Sequence, residues 1–179
     1  MKDKILVCEN LEIFYKNNRI IDNLSFSVDE GDFFLILGKN GVGKSTLLKG
    51  ILGLKNISSG EIKKDVKENL KKLDLWDIKD KSISSLSIGQ RQRVLLCRCL
   101  CVSDKIIFLD EPTNSLDIKV RKMLYEILEK LNREGLTIVM ISHDEEAFKY
   151  SNRALILGKE NKVIENVLEN FEKGEIKFD

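Results

Sequence analysis

The residues best equipped for chemistry lie in Gly38-Lys39-Asn40-Gly41-Val42-Gly43-Lys44-Ser45-Thr46. An apolar run, Phe33-Phe34-Leu35-Ile36-Leu37, precedes them, and the helix-like Leu47-Leu48-Lys49-Gly50-Ile51-Leu52 follows. The glycines let successive backbone N–H groups turn inward around an anion, where a Cβ would often obstruct them. The start of the following helix adds amide donors and partial positive charge. This spacing, with strand before and helix after, predicts a phosphate-binding loop rather than a glycine-rich turn with a chance lysine. Gly38, Asn40, Gly41, Gly43 and Thr46 are expected to line the phosphates of a nucleoside triphosphate. Lys44 would reach the β- and γ-phosphates and Ser45 would bind Mg2+.

A second reactive pair, Asp110-Glu111, closes the short apolar run Lys105-Ile106-Ile107-Phe108-Leu109. An acidic pair often ends an ordinary surface strand. Beside a phosphate loop it has a chemical use: Asp110 can hold the hydration shell of Mg2+, and Glu111 can orient and polarise an attacking water. His143 is the only histidine and follows the apolar run Leu136 to Ile141 through Ser142. Alone it reads either as a structural histidine, with Asp144 a helix cap, or as a partner of the γ-phosphate or of the attacking water.

These groups need a scaffold that gathers strand ends. Residues 4–15 and Leu24-Ser25-Phe26-Ser27-Val28 read as strands, the latter alternating with period two, so antiparallel strands are expected near the N-terminus. The later half alternates strand and helix: strand 105–109, a helix carrying Val120, Leu124, Ile127, Leu128 and Leu131, and an end at Gly135. Strand 136–141, a short helix from Asp144 to Tyr150 and strand 153–157 follow. That order predicts a largely parallel sheet covered by helices on both faces, with active groups at the strands' carboxyl ends. The tail from Lys162 to Asp179 reads as a terminal helix or strand.

The chain has 179 residues, 42% hydrophobic and 33% charged, with a formal net charge of +1, which suits a globular domain and gives no reason for a nucleic-acid partner. No apolar run approaches bilayer length, and the N-terminus leads into a strand pattern rather than a signal sequence, so a cytoplasmic location is expected. Cys8, Cys97, Cys99 and Cys101 read as small buried side chains before any metal or redox site.

Taken together, the motifs resemble the nucleotide-binding domain of ATP-binding-cassette (ABC) ATPases. Leu86-Ser87-Ile88-Gly89-Gln90 is similar to the family signature, and Pro112-Thr113-Asn114-Ser115-Leu116-Asp117 to the loop whose aspartate lies at the dimer interface. The resemblance implies an α/β phosphate-loop NTPase with a RecA-like core, a mainly parallel sheet and an N-terminal antiparallel β portion. It makes Tyr15 the platform for adenine, His143 the switch histidine, and Glu111, His143 and Lys44 the catalytic set. Ser45 and Asp110 become the Mg2+ ligands. Ser87 can cap the helix that follows it, and the amides there, with Gly89, form a second anion site. In the family that site, with Gln90 and Asp117, serves the opposite subunit, so two ATP molecules join two domains head to tail.

Three departures stand out. Ile88 occupies the place where the commonest signature has glycine. Only thirty-nine residues, Leu47 to Ser85, separate the loop from the signature, shorter than the family's usual spacing. Gln90 and Gln92 are the chain's only glutamines, so none is left for the loop that in this family contacts Mg2+ and a membrane partner. A single domain is expected, with a core of 1–62 and 90–179 and a reduced helical segment, 63–89, in which Val66, Leu70 and Leu73 form a narrow stripe closed by Trp76. The resemblance implies an ATPase subunit, likewise dimeric, working on a separate membrane permease from the inner face of the membrane. A soluble ATPase acting on a protein partner and a weakly active nucleotide-binding remnant are the alternatives.

Overall fold

The computed structural model describes residues 3–15, 18–52, 71–82 and 85–176. Its centre is a five-stranded sheet ordered β4-β5-β3-β6-β7, where β3 is Phe33–Gly38, β4 Ile106–Asp110, β5 Thr137–Ile141, β6 Arg153–Leu157 and β7 Lys162–Glu165. The first four in that order run parallel, and β7 joins β6 antiparallel. Strands β3 and β5 are buried at every position, as their unbroken apolar sequences require of parallel strands covered on both faces. Each fully buried side chain of β3 contributes about 1.5–3 kcal/mol from removal of apolar surface from water.

The two faces are covered differently. Phe33, Leu35 and Leu37 point to a core shared with helices α2 (Ile88–Val102), α3 (Ile118–Arg133) and α4 (Val167–Glu172). Phe34 and Ile36 face the other way, toward Leu47 and Leu48 of α1 (Lys44–Ile51) and toward Ile21, Leu24, Phe26 and Val28. The last four belong to β2 (Asn18–Asp29), which pairs antiparallel with β1 (Lys4–Tyr15) in a separate two-stranded sheet. Helices on both faces were expected; here the hairpin takes the larger part of the second face. Its period-two alternation supplies one apolar side, and Phe26 stacks on Phe34 at 5.8 Å.

Helix boundaries follow local chemistry. Ser87 caps α2 in a reciprocal capping box: its hydroxyl accepts from Gln90 N, and Gln90 Oε1 accepts from Ser87 N at 2.9 Å. Asp117 caps α3 through Val120 N at 2.9 Å. At the far end of α3, Gly135 (φ 100°) bonds to Asn132 O and Leu136 N to Leu131 O, a Schellman closure that turns the chain straight into β5. The tail forms both a strand and a helix, β7 and α4.

At the sheet's N-terminal edge, Asp32 is 1% exposed and accepts from Arg153 Nη1 (2.7 Å), Asn152 Nδ2 (2.8 Å) and Asp29 N (3.0 Å). Asn152 Oδ1 accepts in turn from Phe33 N at 2.8 Å. This network fixes β3 against β6 and so sets where β3 ends and the phosphate loop begins. The boundary at 62 and 63, with Val66 and Leu70, lies outside the described residues. Leu73 and Leu75 are each 1% exposed and join the helical-face core, and Trp76 begins a 3₁₀ turn, Trp76–Ile78.

Candidate functional site

The loop between β3 and α1 owes its shape to two close approaches. Gly43 has φ 108°, and a Cβ there would stand 2.6 Å from Ile20 Cγ2. At Gly38 a Cβ would meet Leu157 O at 2.6 Å. Only glycine fits either position. Asn40, Gly41, Gly43, Lys44, Ser45 and Thr46 line one cavity with Glu111. The structure thus brings Glu111, the second carboxylate of the acidic pair, to the loop although β5 lies between β4 and β3.

Lys44 is 6% exposed, and its ammonium donates to Gly38 O and Lys39 O, both at 2.9 Å. Burial pulls its pKa below the ordinary lysine value, while the carboxylates of Glu111 and Asp110 oppose that shift. The Ser45 hydroxyl donates to Asp110 Oδ1 at 3.2 Å. Hydroxyl and carboxylate oxygens are the hard donors that suit Mg2+, and their convergence from α1 and β4 fits the expected ligand pair.

Glu111 follows β4 with φ 47°, a left-handed conformation that costs a non-glycine residue about 1–2 kcal/mol. Its N–H still donates to Ile141 O at 3.0 Å, which holds it beside the end of β5. His143, two residues beyond β5, places Nε2 3.3 Å from Glu111 Oε1. Asn114 Nδ2 donates to the other carboxylate oxygen. The carboxylate is therefore oriented from both sides, with one edge open to the phosphate-loop cavity. Such a group can hold and polarise a water against a phosphate.

Asn114 was not singled out from sequence; only its place three residues after Glu111 hinted at the contact. Gln92 was also missed: its amide donates to Pro112 O at 2.9 Å, tying α2 to the loop after Glu111. A second cavity, lined by Glu111, Thr113, Asn114, Ser115, Arg121, Ser142, His143 and Asp144, adjoins the first through Glu111.

Other expected site residues stand apart. Ser87, Gly89, Gln90 and Asp117 line neither of these two cavities. Ser87 and Asp117 head neighbouring helices built alike: Arg91 Nη1 reaches back to Leu86 O (2.7 Å), and Arg121 Nη2 to Leu116 O (3.4 Å). Gly89 sits where the two helices meet, since a Cβ there would lie 3.2 Å from Val120 Cγ1. Gln90 spends its side-chain oxygen on the capping box. Ile88 and Ile118 are exposed beside these caps. Tyr15 ends β1 opposite Asn18; its side chain lies outside the described part of the structure. Cys97 is buried and Cys99 half-buried within α2.

A glycine-shaped loop between the central strand and a helix, with acidic and histidine groups at adjacent strand ends, defines a phosphate-loop nucleotide-binding protein. More closely, the chain belongs to the ABC transporter family, whose model matches residues 21–69 and 63–114. It is 31% identical to the spermidine/putrescine import ATP-binding protein PotA of Mycoplasma capricolum, over 89% of this chain and 60% of that protein. That alignment runs over 211 residues, more than the 179 of this chain, so the relative carries residues that this chain lacks. The chain spans 60% of the length of the two PotA relatives it matches. It is also 28% identical to the zinc import ATP-binding protein ZnuC of Anaplasma marginale, over 78% of this chain and 73% of that one. Among solved structures it is similar to cbiO1 from Clostridium perfringens, part of the ABC transporter complex cbiONQ. The TM-score is 0.83 at 25% identity, covering 97% of this chain and 93% of the other.

Proposed function

We propose that this chain binds and hydrolyses ATP as the ATPase subunit of an ABC transporter and drives a separate membrane permease. The observation that carries the proposal is the placement of Glu111: its carboxylate faces the loop cavity that holds Lys44 and is gripped by His143 at 3.3 Å. Lys44 would release the loop carbonyls and bind the β- and γ-phosphates. Glu111 would take a hydrogen bond from the attacking water, and His143 would hold Glu111 and the water in line. Ser45 and Asp110 would hold Mg2+, which when bound neutralises phosphate charge.

A second copy of the chain is part of this reading. Ser87, Gly89 and Asp117 lie away from the cavity of their own loop, and the exposed cap at Ser87 presents N-terminal amides of α2. Facing another molecule's phosphate loop, they would close a nucleotide between two chains. Membership of the ABC transporter family supports work at the membrane's inner face through a permease made by another chain. The short stretch of thirty-nine residues between the phosphate loop and the signature, Leu47 to Ser85, favours one rival, a soluble ATPase that grips a protein partner through a reduced surface.

Phosphate release from Mg-ATP, followed across a protein concentration series beside Glu111→Gln, tests this reading. Activity rising faster than linearly and lost in the variant is the expected result. Turnover equal in the two proteins would refute it.

A further inference from the structure

We infer that the Tyr125 hydroxyl is a positioning group for the Glu111–His143 pair, tying down through Asp144 the strand-end loop that carries His143. The inference rests on the proposed ATPase reading for its consequence, though not for its geometry. Tyr125 lies on α3 and is 0% exposed, with its ring stacked on Tyr150 at 5.2 Å. Its O–H donates to Asp144 Oδ2 at 3.1 Å. Ser142 and Thr113 line the same cavity as Asp144.

The partner's place in the chain gives this its meaning. Asp144 directly follows His143. One side chain on α3 therefore ties down the loop after β5. The His143 loop is further closed on itself: Asp144 N donates to Ser142 Oγ at 3.0 Å, and Asp144 Oδ1 accepts from Glu146 N at 3.1 Å. Arg121, one turn before Tyr125, sets its Nε 3.4 Å from Asp144 Oδ2 and balances that carboxylate.

Packing alone does not require the hydroxyl. A phenylalanine would fill the same space against Tyr150, Leu124 and Leu128. Thr113 is 5% exposed and Ser142 1%, so a polar centre shielded from water has been built where an apolar one would fold as well. Burial pushes the Tyr125 hydroxyl up to about 12, which keeps it a protonated donor across the neutral range. His143 holds one oxygen of the Glu111 carboxylate from the loop after β5; without Tyr125 that loop would be held less firmly.

The test is Tyr125→Phe, read first without nucleotide. His143 is the only histidine, so its imidazole signals need no assignment. With Nε2 facing Glu111 Oε1, a two-bond ¹H–¹⁵N correlation at alkaline pH should show the Nε2–H tautomer in the parent protein. In Tyr125→Phe the pattern should shift toward a tautomer mixture or broaden by exchange. An unchanged pattern would overturn the inference. In turnover, Tyr125→Phe should lower kcat about tenfold with little change in KM. That loss should vanish in a His143→Ala background; an equal loss in both backgrounds would mean a merely structural role. A tautomer change without phosphate release by the parent chain would sink the ATPase reading and leave the positioning role standing.

Discussion

The Ser45 hydroxyl donates to Asp110 Oδ1 across 3.2 Å, joining the first turn of α1 to the end of β4, 65 residues further along the chain. Two hard oxygen donors from separate elements are thereby held at one edge of the phosphate loop. Asp110→Asn should raise the Mg2+ concentration needed for half-maximal ATP hydrolysis about tenfold to a hundredfold. A Mg2+ titration of parent and variant measures this, and chelation with EDTA should abolish turnover in both. Identical titration curves would remove Asp110 from the metal site.

Glu111→Gln keeps the shape that Asn114 and His143 grip and removes the charge that polarises water. The kcat should fall by about 10²–10⁴-fold while ATP affinity is retained. Single-turnover kinetics beside equilibrium nucleotide binding separates the two effects. Light scattering at saturating Mg-ATP should show the variant accumulating as a dimer; a strictly monomeric variant would count against the two-chain site.

Among the described residues lining the loop cavity, Lys44 contributes the only ammonium, and it is nearly buried. Lys44→Ala should weaken ATP binding by about 3 kcal/mol, roughly a hundredfold in Kd. Direct binding by calorimetry checks the figure. Unchanged affinity would show that the backbone amides alone bind the phosphates.

Asp32 gives the pH prediction. Burial alone would raise its pKa, but the bonds from Asn152, the Asp29 N–H and Arg153 together outweigh it and hold the carboxyl below its ordinary value. A folded pKa below the unfolded one stabilises the protein above the unfolded value, and that stabilisation is lost as pH falls through the folded one. Asp32→Asn should therefore destabilise the protein at neutral pH by about 3 kcal/mol, leaving Arg153 with one acid fewer, and should flatten the loss of stability in acid. Denaturant unfolding at neutral and acidic pH measures both; equal stability losses at each pH would refute the linkage.

The phosphate loop, the acidic end of β4, the cap at Ser87 and the glycine end of α3 were all legible in sequence because each is local chemistry. A glycine at a positive φ, a hydroxyl before a helix or a carboxylate after an apolar run announces itself within a few residues. The unbroken apolar runs of β3 and β5 likewise announced strands buried on both faces. What covers those faces was less legible. The sequence suggested helices twice over, and the hairpin took most of one face because its alternating side supplies an apolar layer that pattern alone does not assign to a location.

The sequence by itself determined which groups could do the chemistry and on what kind of element each would stand. Only the tertiary structure decided their company. Asp32 meets Arg153 across 121 residues, and Tyr125 on α3 reaches Asp144, the neighbour of His143. Contacts of that kind depend on the order β4-β5-β3-β6 and on which face each helix covers. Side-chain hydrogen bonds act over about 3 Å, and no spacing rule along the chain carries that information between elements.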